Sequence, residues 1–500
     1  MNTIAARVFA GTALLLSSAV WPCGARAQVL DASHPWVYQL VQGSQLCQRY
    51  TMLPLEMLVP MWGTFQLRYL RSDPINDYYA IEDISFMATN GSLTLQISGD
   101  GLYSIGGEVA IIQTLSLGLT IGNGSGSTLC YFTNTPGPPT RLWPMLQASA
   151  RQTNPPSRPY APFYSLNLNA APLREIWFAT AQPFQAGIWN APSNAISAGD
   201  LLSSIGRVVR RNAALTARLG IMPPVPDLGL HDVDILSGGE IAFSMTQNIF
   251  SETLGQLYAG DLLSDWGRVV SSNSALIAAF QPSPAPSGGA GLCAVKLMDS
   301  GQTYFSVQTN FYSQKLKATI SPGDLLSSSG AIIRTNGQFL AAFNPAAPAA
   351  NFGLAAIYAW PSGEYWFATA TGFYDTSSNY YAAGDLLSDQ GYVVFRNADL
   401  LSPFGAPAST NGYGLDALYV VSDVATLAGP AQLALPLLTN SPPASLALQW
   451  TGAGRVFQLE RAASAPGPYS PASFIDTAGP FIDPGVLTNQ PQASYRLHQW

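Results

Sequence analysis

The sequence predicts a mainly β protein in three parts: an N-terminal antiparallel β domain, a four-bladed β-propeller-like repeat domain with short helices, and a small C-terminal β-sandwich. Three observations predict it. The stretch Gly384 to Phe404, GDLLSDQGYVVFRNADLLSPF, recurs with starts at Gly199, Gly260, Gly323 and Gly384, in steps of 61, 63 and 61 residues, and so regular a period marks a repeat architecture. Of the 500 residues 47% are hydrophobic and only 10% charged, with 45 Gly and 38 Pro, which is the profile of a turn-rich β chain. Outside the repeat, apolar and polar residues alternate over short runs, the period of a half-buried strand.

Residues 1–27 read as a signal peptide: Arg7, an apolar run from Val8 to Val20, and a small-x-small site at Ala25-Arg26-Ala27. The run is too short for a membrane anchor and no later run reaches spanning length. Cys23, preceded by Trp21-Pro22, falls in the discarded part. The mature chain is therefore expected outside the cytoplasm: secreted, periplasmic or at the cell surface. Losing Arg7 and Arg26 moves the net charge from −7 to −9, which argues against nucleic acid and anionic membrane faces as partners. Cys47, Cys130 and Cys293 remain, and oxidation in an exported chain makes Cys47 with Cys130 the candidate disulfide.

Residues 28–135 carry no repeat. Phe65-Gln-Leu-Arg-Tyr-Leu, Ile84-Ser-Phe-Met and Leu93-Thr-Leu-Gln-Ile alternate as strands, and Asn90-Gly91 and Asn123-Gly124 are hairpin turns. This is the antiparallel β domain. Residues 136–171 are Pro-rich and read as a linker over a neighbour's surface.

Residues 172–421 hold four repeats of about 62 residues, each with four parts. One is a Gly-Leu strand (Gly229, Gly291, Gly353, Gly414) and the next an aromatic strand such as Ile176-Trp-Phe-Ala-Thr or Tyr365-Trp-Phe-Ala-Thr. Two motif arms follow, Asp-Leu-Leu-Ser and a Val-Val or Ile-Ile pair, joined by a tight glycine loop. Asp200, Asp261, Asp324 and Asp385 open the motif, where an Asp bonds turn amides. Twelve residues on stand Asn212, Asn273, Asn336 and Asn397, each read as the N-cap of a two-turn helix because apolar residues follow at +3 and +7. Calcium is disfavoured at the four aspartates, since Leu-Leu follows each one rather than further oxygen ligands. The series opens at the aromatic strand and ends after a Gly-Leu strand, so pairing Gly414–Val421 with Ile176–Thr180 closes a ring. The competing account makes Phe163–Leu168 the first repeat's missing strand. Residues 422–443 are a second linker, and 444–500 alternate strictly between Pro-Gly turns, as in a small sandwich.

The Gly414-Leu-Asp-Ala-Leu strand, the aromatic Phe-Ser or Phe-Ala strand and Gly-Asp-Leu-Leu-Ser resemble the units of uncharacterised secreted bacterial repeat proteins, and Cys130-Tyr-Phe-Thr-Asn and Arg141-Leu-Trp-Pro-Met resemble their leading domain. The architecture is similar to hemopexin-type four-bladed propellers, although only Asp416-Ala417 keeps the Asp-Ala pair of the inner strand; His231-Asp232, Cys293-Ala294 and Ala355-Ala356 replace it. The last unit resembles a fibronectin-III-like module.

Of the three histidines, His34, His231 and His498, only His231 is placed for chemistry, beside Asp232 and Asp234. Ring closure brings Asp416 to the same face. The candidate binding residues are therefore His231, Asp232 and Asp416, against the simpler reading of a repeat position that has drifted. No metal, cofactor or catalytic residue is expected. The favoured function is a secreted, non-enzymatic binding or surface-interaction protein whose extracellular ligand is a glycan or a protein. Two alternatives stay open: a carbohydrate-active hydrolase using Asp232 with Asp416 as paired carboxylates, and a structural envelope or matrix component. Trp189, Trp266 and Trp360 are candidates for stacking on sugars.

Overall fold

The computed structural model describes residues 34–500 apart from 51–52, 92, 158–160, 188–194, 226, 408, 410–411, 425–431, 434–436, 440–444, 478 and 485–492. The signal segment, Cys23 and Trp189 lie outside the described residues. Among the described residues no helix is long and apolar enough to cross a membrane.

The first body is one nine-stranded antiparallel sheet: β1 (Trp36–Leu40), β2 (Gln45–Tyr50), β3 (Leu53–Ser72), β4 (Asn76–Asn90), β5 (Leu93–Gly106), β6 (Ile112–Gly122), β7 (Ser127–Asn134), β8 (Leu146–Gln152) and β9 (Pro162–Ala171). Its order is β1-β3-β2-β9-β8-β7-β6-β5-β4, and β3 also pairs with β4, so the pairing returns to where it began. Alternation sets the faces: Leu115, Leu117, Leu119 and Ile121 of β6 point into the core while the residues between them face out. Tyr38, Phe65, Tyr79, Tyr103 and Phe132 fill the interior. Two expectations are corrected here. The stretch 136–171 is not a free linker, because β8 and β9 lie in it, and β9 sits centrally, bonded to β1, β2 and β8. Its flanking prolines hide strands whose inward residues include the small Ala148, Ala150 and Ala170 beside Leu146, Leu166 and Leu168. The Cys47–Cys130 disulfide is also absent: both are free thiols. Strands β9 and β8 separate β2 from β7, about 14 Å at the usual spacing, twice the Cα separation a disulfide bridges.

The second body is four copies of one unit. The first holds β10 (Glu175–Ala179), the hairpin β11 (Phe184–Gln185) with β12 (Ala195–Ile196), β13 (Leu201–Ser203), β14 (Arg207–Arg210) and α1 (Asn212–Thr216). The second holds β15 (Asp232–Ile235), β16 (Ile241–Ser244), β17 (Ile249–Ser251), β18 (Gly255–Leu257), β19 (Leu262–Ser264), β20 (Arg268–Ser271) and α2 (Asn273–Ala278). The third holds β21 (Ala294–Leu297), β22 (Thr303–Ser306), β23 (Phe311–Ser313), β24 (Ala318–Ile320), β25 (Leu325–Ser327), β26 (Ala331–Arg334) and α3 (Asn336–Leu340). The fourth holds β27 (Ala356–Ala359), β28 (Tyr365–Ala368), β29 (Phe373–Tyr374), β30 (Tyr380–Tyr381), β31 (Leu386–Ser388), β32 (Tyr392–Phe395) and α4 (Asn397–Leu401), before β33 (Ala417–Val421). Four four-stranded antiparallel sheets result: β33-β10-β13-β14, β15-β16-β19-β20, β21-β22-β25-β26 and β27-β28-β31-β32. The last strand pairs with the first across five residues, from Glu175 opposite Val421 to Ala179 opposite Ala417. Strands β33, β15, β21 and β27 lie beside one another in a closed cycle. Phe163–Leu168 belongs to β9, so it does not serve as the first repeat's missing strand.

Each motif Asp accepts two backbone N–H groups. One oxygen takes the amide three residues before it (Ser197, Tyr258, Ser321, Ala382) at 2.9–3.0 Å. The other takes the amide of the motif Asn at 2.9–3.2 Å. The Asn itself is not the N-cap. It is the first helical residue, and the extended caps are Arg211, Ser272, Thr335 and Arg396. Its side chain instead reaches the next repeat, accepting from Leu228, Ala290, Phe352 and Tyr413 at 2.6–3.3 Å. In three copies its amide also donates to the carbonyl of Gly229, Gly291 or Gly414. Those glycines have φ of 69°, 73° and 74°, a left-handed conformation that favours Gly. Asp and Asn together therefore stitch each unit to its successor. A second stitch lies inside each sheet: the Ser of Leu-Leu-Ser donates to the residue opening the aromatic strand, Ser203 to Glu175 (2.6 Å), Ser264 to Glu240, Ser327 to Gln302 (3.2 Å) and Ser388 to Glu364 (2.6 Å).

Among the described residues the C-terminal part is three small antiparallel sheets, the largest pairing running from Phe457 opposite Gln499 to Ala462 opposite Ser494. It docks on the repeats through Arg210–Asp476 at 2.6 Å and through the Gly238 amide on the Gly454 carbonyl at 2.9 Å.

Candidate functional site

The four strands of the closed cycle carry side chains at matched positions, and these build the candidate site in three rows. The first row is His231, Cys293, Ala355 and Asp416, just ahead of the strands; the second is Asp232, Ala294, Ala356 and Ala417; the third is Asp234, Lys296, Tyr358 and Tyr419. Each row takes one residue from each of four sheets.

The third row is closed and self-satisfied. Lys296 Nζ lies 2.9 and 3.2 Å from the two oxygens of Asp234, which also accepts the Leu297 amide at 2.7 Å. The same ammonium faces the rings of Tyr358 and Tyr419 at 5.1 and 5.6 Å, a cation–π arrangement. Burial, followed by neighbouring charge including Asp234, pushes both phenols far above their ordinary range. Arg455 of the C-terminal part, bonded to Asp299 at 2.8 Å, stands at this end, where burial opposes its charge and Asp234 and Tyr419 restore it.

The first row is partly exposed at His231, Cys293 and Asp416, buried at Ala355, and unlike in every copy. Gln308 Nε2 lies 2.6 Å from His231 Nδ1, the Leu292 carbonyl 3.2 Å and the Cys293 sulfur 3.9 Å from the same nitrogen. Burial lowers the His231 pKa, raises Asp416 to about 7, and with the charges of Asp416 and Asp232 pushes the Cys293 thiol up to about 12. Beneath them Asp232 is 0% exposed. One of its oxygens accepts the Val233 amide and the other has no partner, so burial, first, and then the nearby acids hold it well above the carboxylate range.

This chemistry bears on the sequence expectations. His231, Asp232 and Asp416 are brought together with Cys293: its sulfur lies 3.9 Å from His231 Nδ1, and the charges of both acids bear on its thiol. A glycosidase needs one ionised and one protonated carboxyl group; burial raises the pKa of both acids here, Asp416 to about 7 and Asp232 well above the carboxylate range. A Cys–His nucleophile needs a thiolate, and this pair is a thiol beside an imidazole disfavoured from charging. Among the described residues no group of three or more His, Cys, Asp or Glu is placed to hold a metal ion. Asp200, Asp261, Asp324, Asp385 and their partner asparagines lie away from this site, in the stitches between units. Trp360 is buried against Trp366, and Trp266 is exposed. Sequence reasoning missed Lys296, Tyr358, Tyr419, Gln308 and Arg455. For the third row a signal existed: 234, 296, 358 and 419 follow the repeat period. A separate cleft of about 920 Å³ lies between β14 and the C-terminal part, walled by Arg207, Trp450, Phe474 and Phe481.

No family model and no curated protein matches the chain. Among solved structures it is similar to the extracellular domain of BT4673 from B. thetaiotaomicron, a protein assigned as a one-component system, at 8% identity over 93% of this chain and 98% of that one, with a TM-score of 0.18. A likeness of that size carries no argument about function.

Proposed function

We propose that the chain is an exported, non-enzymatic glycan-binding protein whose four sheets form a four-bladed propeller, with the first row of the ring as the face that meets ligand. One observation carries this reading. The scaffold positions repeat the same hydrogen bonds in every unit, while the row of His231, Cys293, Ala355 and Asp416 differs in every unit. Repeats kept alike for folding and unlike at one face point to selection at that face. Partly exposed polar groups converging from three sheets suit recognition of a polar ligand, and a thiol beside an imidazole disfavoured from charging does not suit nucleophilic turnover. A glycan array run beside hydrolysis assays tests it. The expected result is retention of a glycan without product, weakened about tenfold in His231→Ala, the loss of one good hydrogen bond. Sugar release that disappears in Asp232→Asn would overturn the reading in favour of a hydrolase; silence in both assays would leave the structural role.

A further inference from the structure

Between its second and third sheet strands each repeat carries a two-stranded hairpin that shows one cross-strand pair to solvent. The pairs are Gln185 with Ala195, Phe250 with Gln256, Tyr312 with Thr319 and Tyr374 with Tyr380. The inward residues Phe184, Leu257, Phe311 and Phe373 are buried and account for the packing of the hairpins. The outward rings are not accounted for in this way: Phe250 is 62%, Tyr312 40% and Tyr374 57% exposed. They recur at steps of 62 and 62 residues, in register with the fold. A cross-strand aromatic steadies a hairpin slightly, yet the first repeat builds the same hairpin with Gln185 and Ala195. An outward ring is therefore not a condition of folding.

What such a ring receives follows from its surroundings. Phe250 and Tyr312 each stand beside an exposed polar partner, the Gln256 amide or the Thr319 hydroxyl, and Tyr374 packs against the Tyr380 ring at 4.9 Å, whose phenol hydroxyl is the polar group of the pair. A protein or membrane partner needs a continuous apolar patch instead. An exposed ring or ring pair with a polar group beside it accepts a flat ligand that is apolar on one face and polar at its edge. With a net charge of −7 the chain repels nucleic acid, which leaves the pyranose ring, stacked through its C–H face with its hydroxyls on the neighbouring amide or hydroxyl. We infer that Phe250, Tyr312 and Tyr374 are three equivalent stacking platforms for neutral pyranose units, and that their repetition gives avidity for a polysaccharide chain. The inference rests on the glycan-binding reading and places a second, multivalent contact outside the ring's first row.

The test is affinity gel electrophoresis through gels containing xylan, mixed-linkage β-glucan, starch or galactomannan, with the wild type and the triple variant Phe250→Gln, Tyr312→Gln, Tyr374→Gln. Glutamine is the residue of the first repeat, and an unchanged melting temperature confirms that the variant is folded. The wild type is expected to be retarded by at least one polymer, with each single substitution weakening this about threefold to tenfold and the triple variant by about 100-fold. Equal retardation of wild type and triple variant overturns the platforms. If His231→Ala then weakens retardation about tenfold, the first-row reading stands alone. A wild type retarded by none of the four polymers also overturns the platforms, and silence on the glycan array at the same time removes the glycan-binding reading with them.

Discussion

The stitches between units and the rows at the centre of the ring use buried aspartates to opposite ends. At the stitches an Asp and an Asn meet backbone amides in the same way four times. At the centre, an Asp that also accepts the Leu297 amide pairs with a Lys and two Tyr face that Lys, one residue from each of four sheets. A side chain bonded to backbone is fixed by the fold and cannot drift. A side chain bonded to other side chains drifts as long as its partners drift with it. The difference separates what folds the protein from what distinguishes it.

The sharpest way to break the comparison is at the third row. Lys296→Ala strands Asp234 in a buried site and is expected to cost about 3–5 kcal/mol in urea unfolding. Asp234→Asn with Lys296→Met should recover most of it, because the amide oxygen still accepts from Leu297 and no buried charge is left to pair. Next in size, Asp261→Ala leaves two backbone amides unmet, expected to cost about 2–3 kcal/mol, and the same substitution at Asp324 should cost nearly as much. A cost in one copy and none in the other would refute the equivalence of the stitches. Smaller still is Asp416→Asn. The folded pKa of Asp416 lies above its unfolded value, so wild-type stability should fall as pH rises from about 4 to about 7 and level off beyond. The variant should be more stable than wild type at pH 8 by about 1–2 kcal/mol, discounted because the group keeps some solvent contact, and equal to it near pH 3. Thermal unfolding across pH decides this, and a gap that widens toward acid would contradict the assignment. Smallest is His231→Ala, within about 0.5 kcal/mol in stability while lowering ligand retention.

Much of the repeat was legible because its period is long and its motif free of insertions. The strand pairing of Gly414–Val421 with Ile176–Thr180 could be read from the phase of the two ends alone. The hairpins at 184–196, 249–257, 311–320 and 373–381 escaped because strands of two or three residues leave no periodicity to detect. Strands β8 and β9 were hidden by the prolines around them, and the motif Asn was misassigned by one position because a favoured cap type stood where the helix already begins. At the site, His231, Asp232 and Asp416 stood out as polar residues on an apolar strand, while Lys296, Tyr358 and Tyr419 looked like ordinary members of alternating strands. Arg455 comes from a different part of the chain, and no local pattern could have joined it to them.

Asp423 sits where the ring is fastened, and its carboxylate has three donors: the Arg174 side chain and the Trp500 indole at 2.7 Å, and the Val37 amide at 2.8 Å. The fastening strands run antiparallel, with Glu175 beside Val421 at the end where the chain enters and leaves. A pull on the two outer parts would load that pair first and open it like a zip, one hydrogen bond at a time, the weakest way to load a sheet. One carboxylate ties the first strand of the chain, the entrance to the ring and the final residue together at that spot, so tension from either side reaches a three-way knot before it reaches the seam.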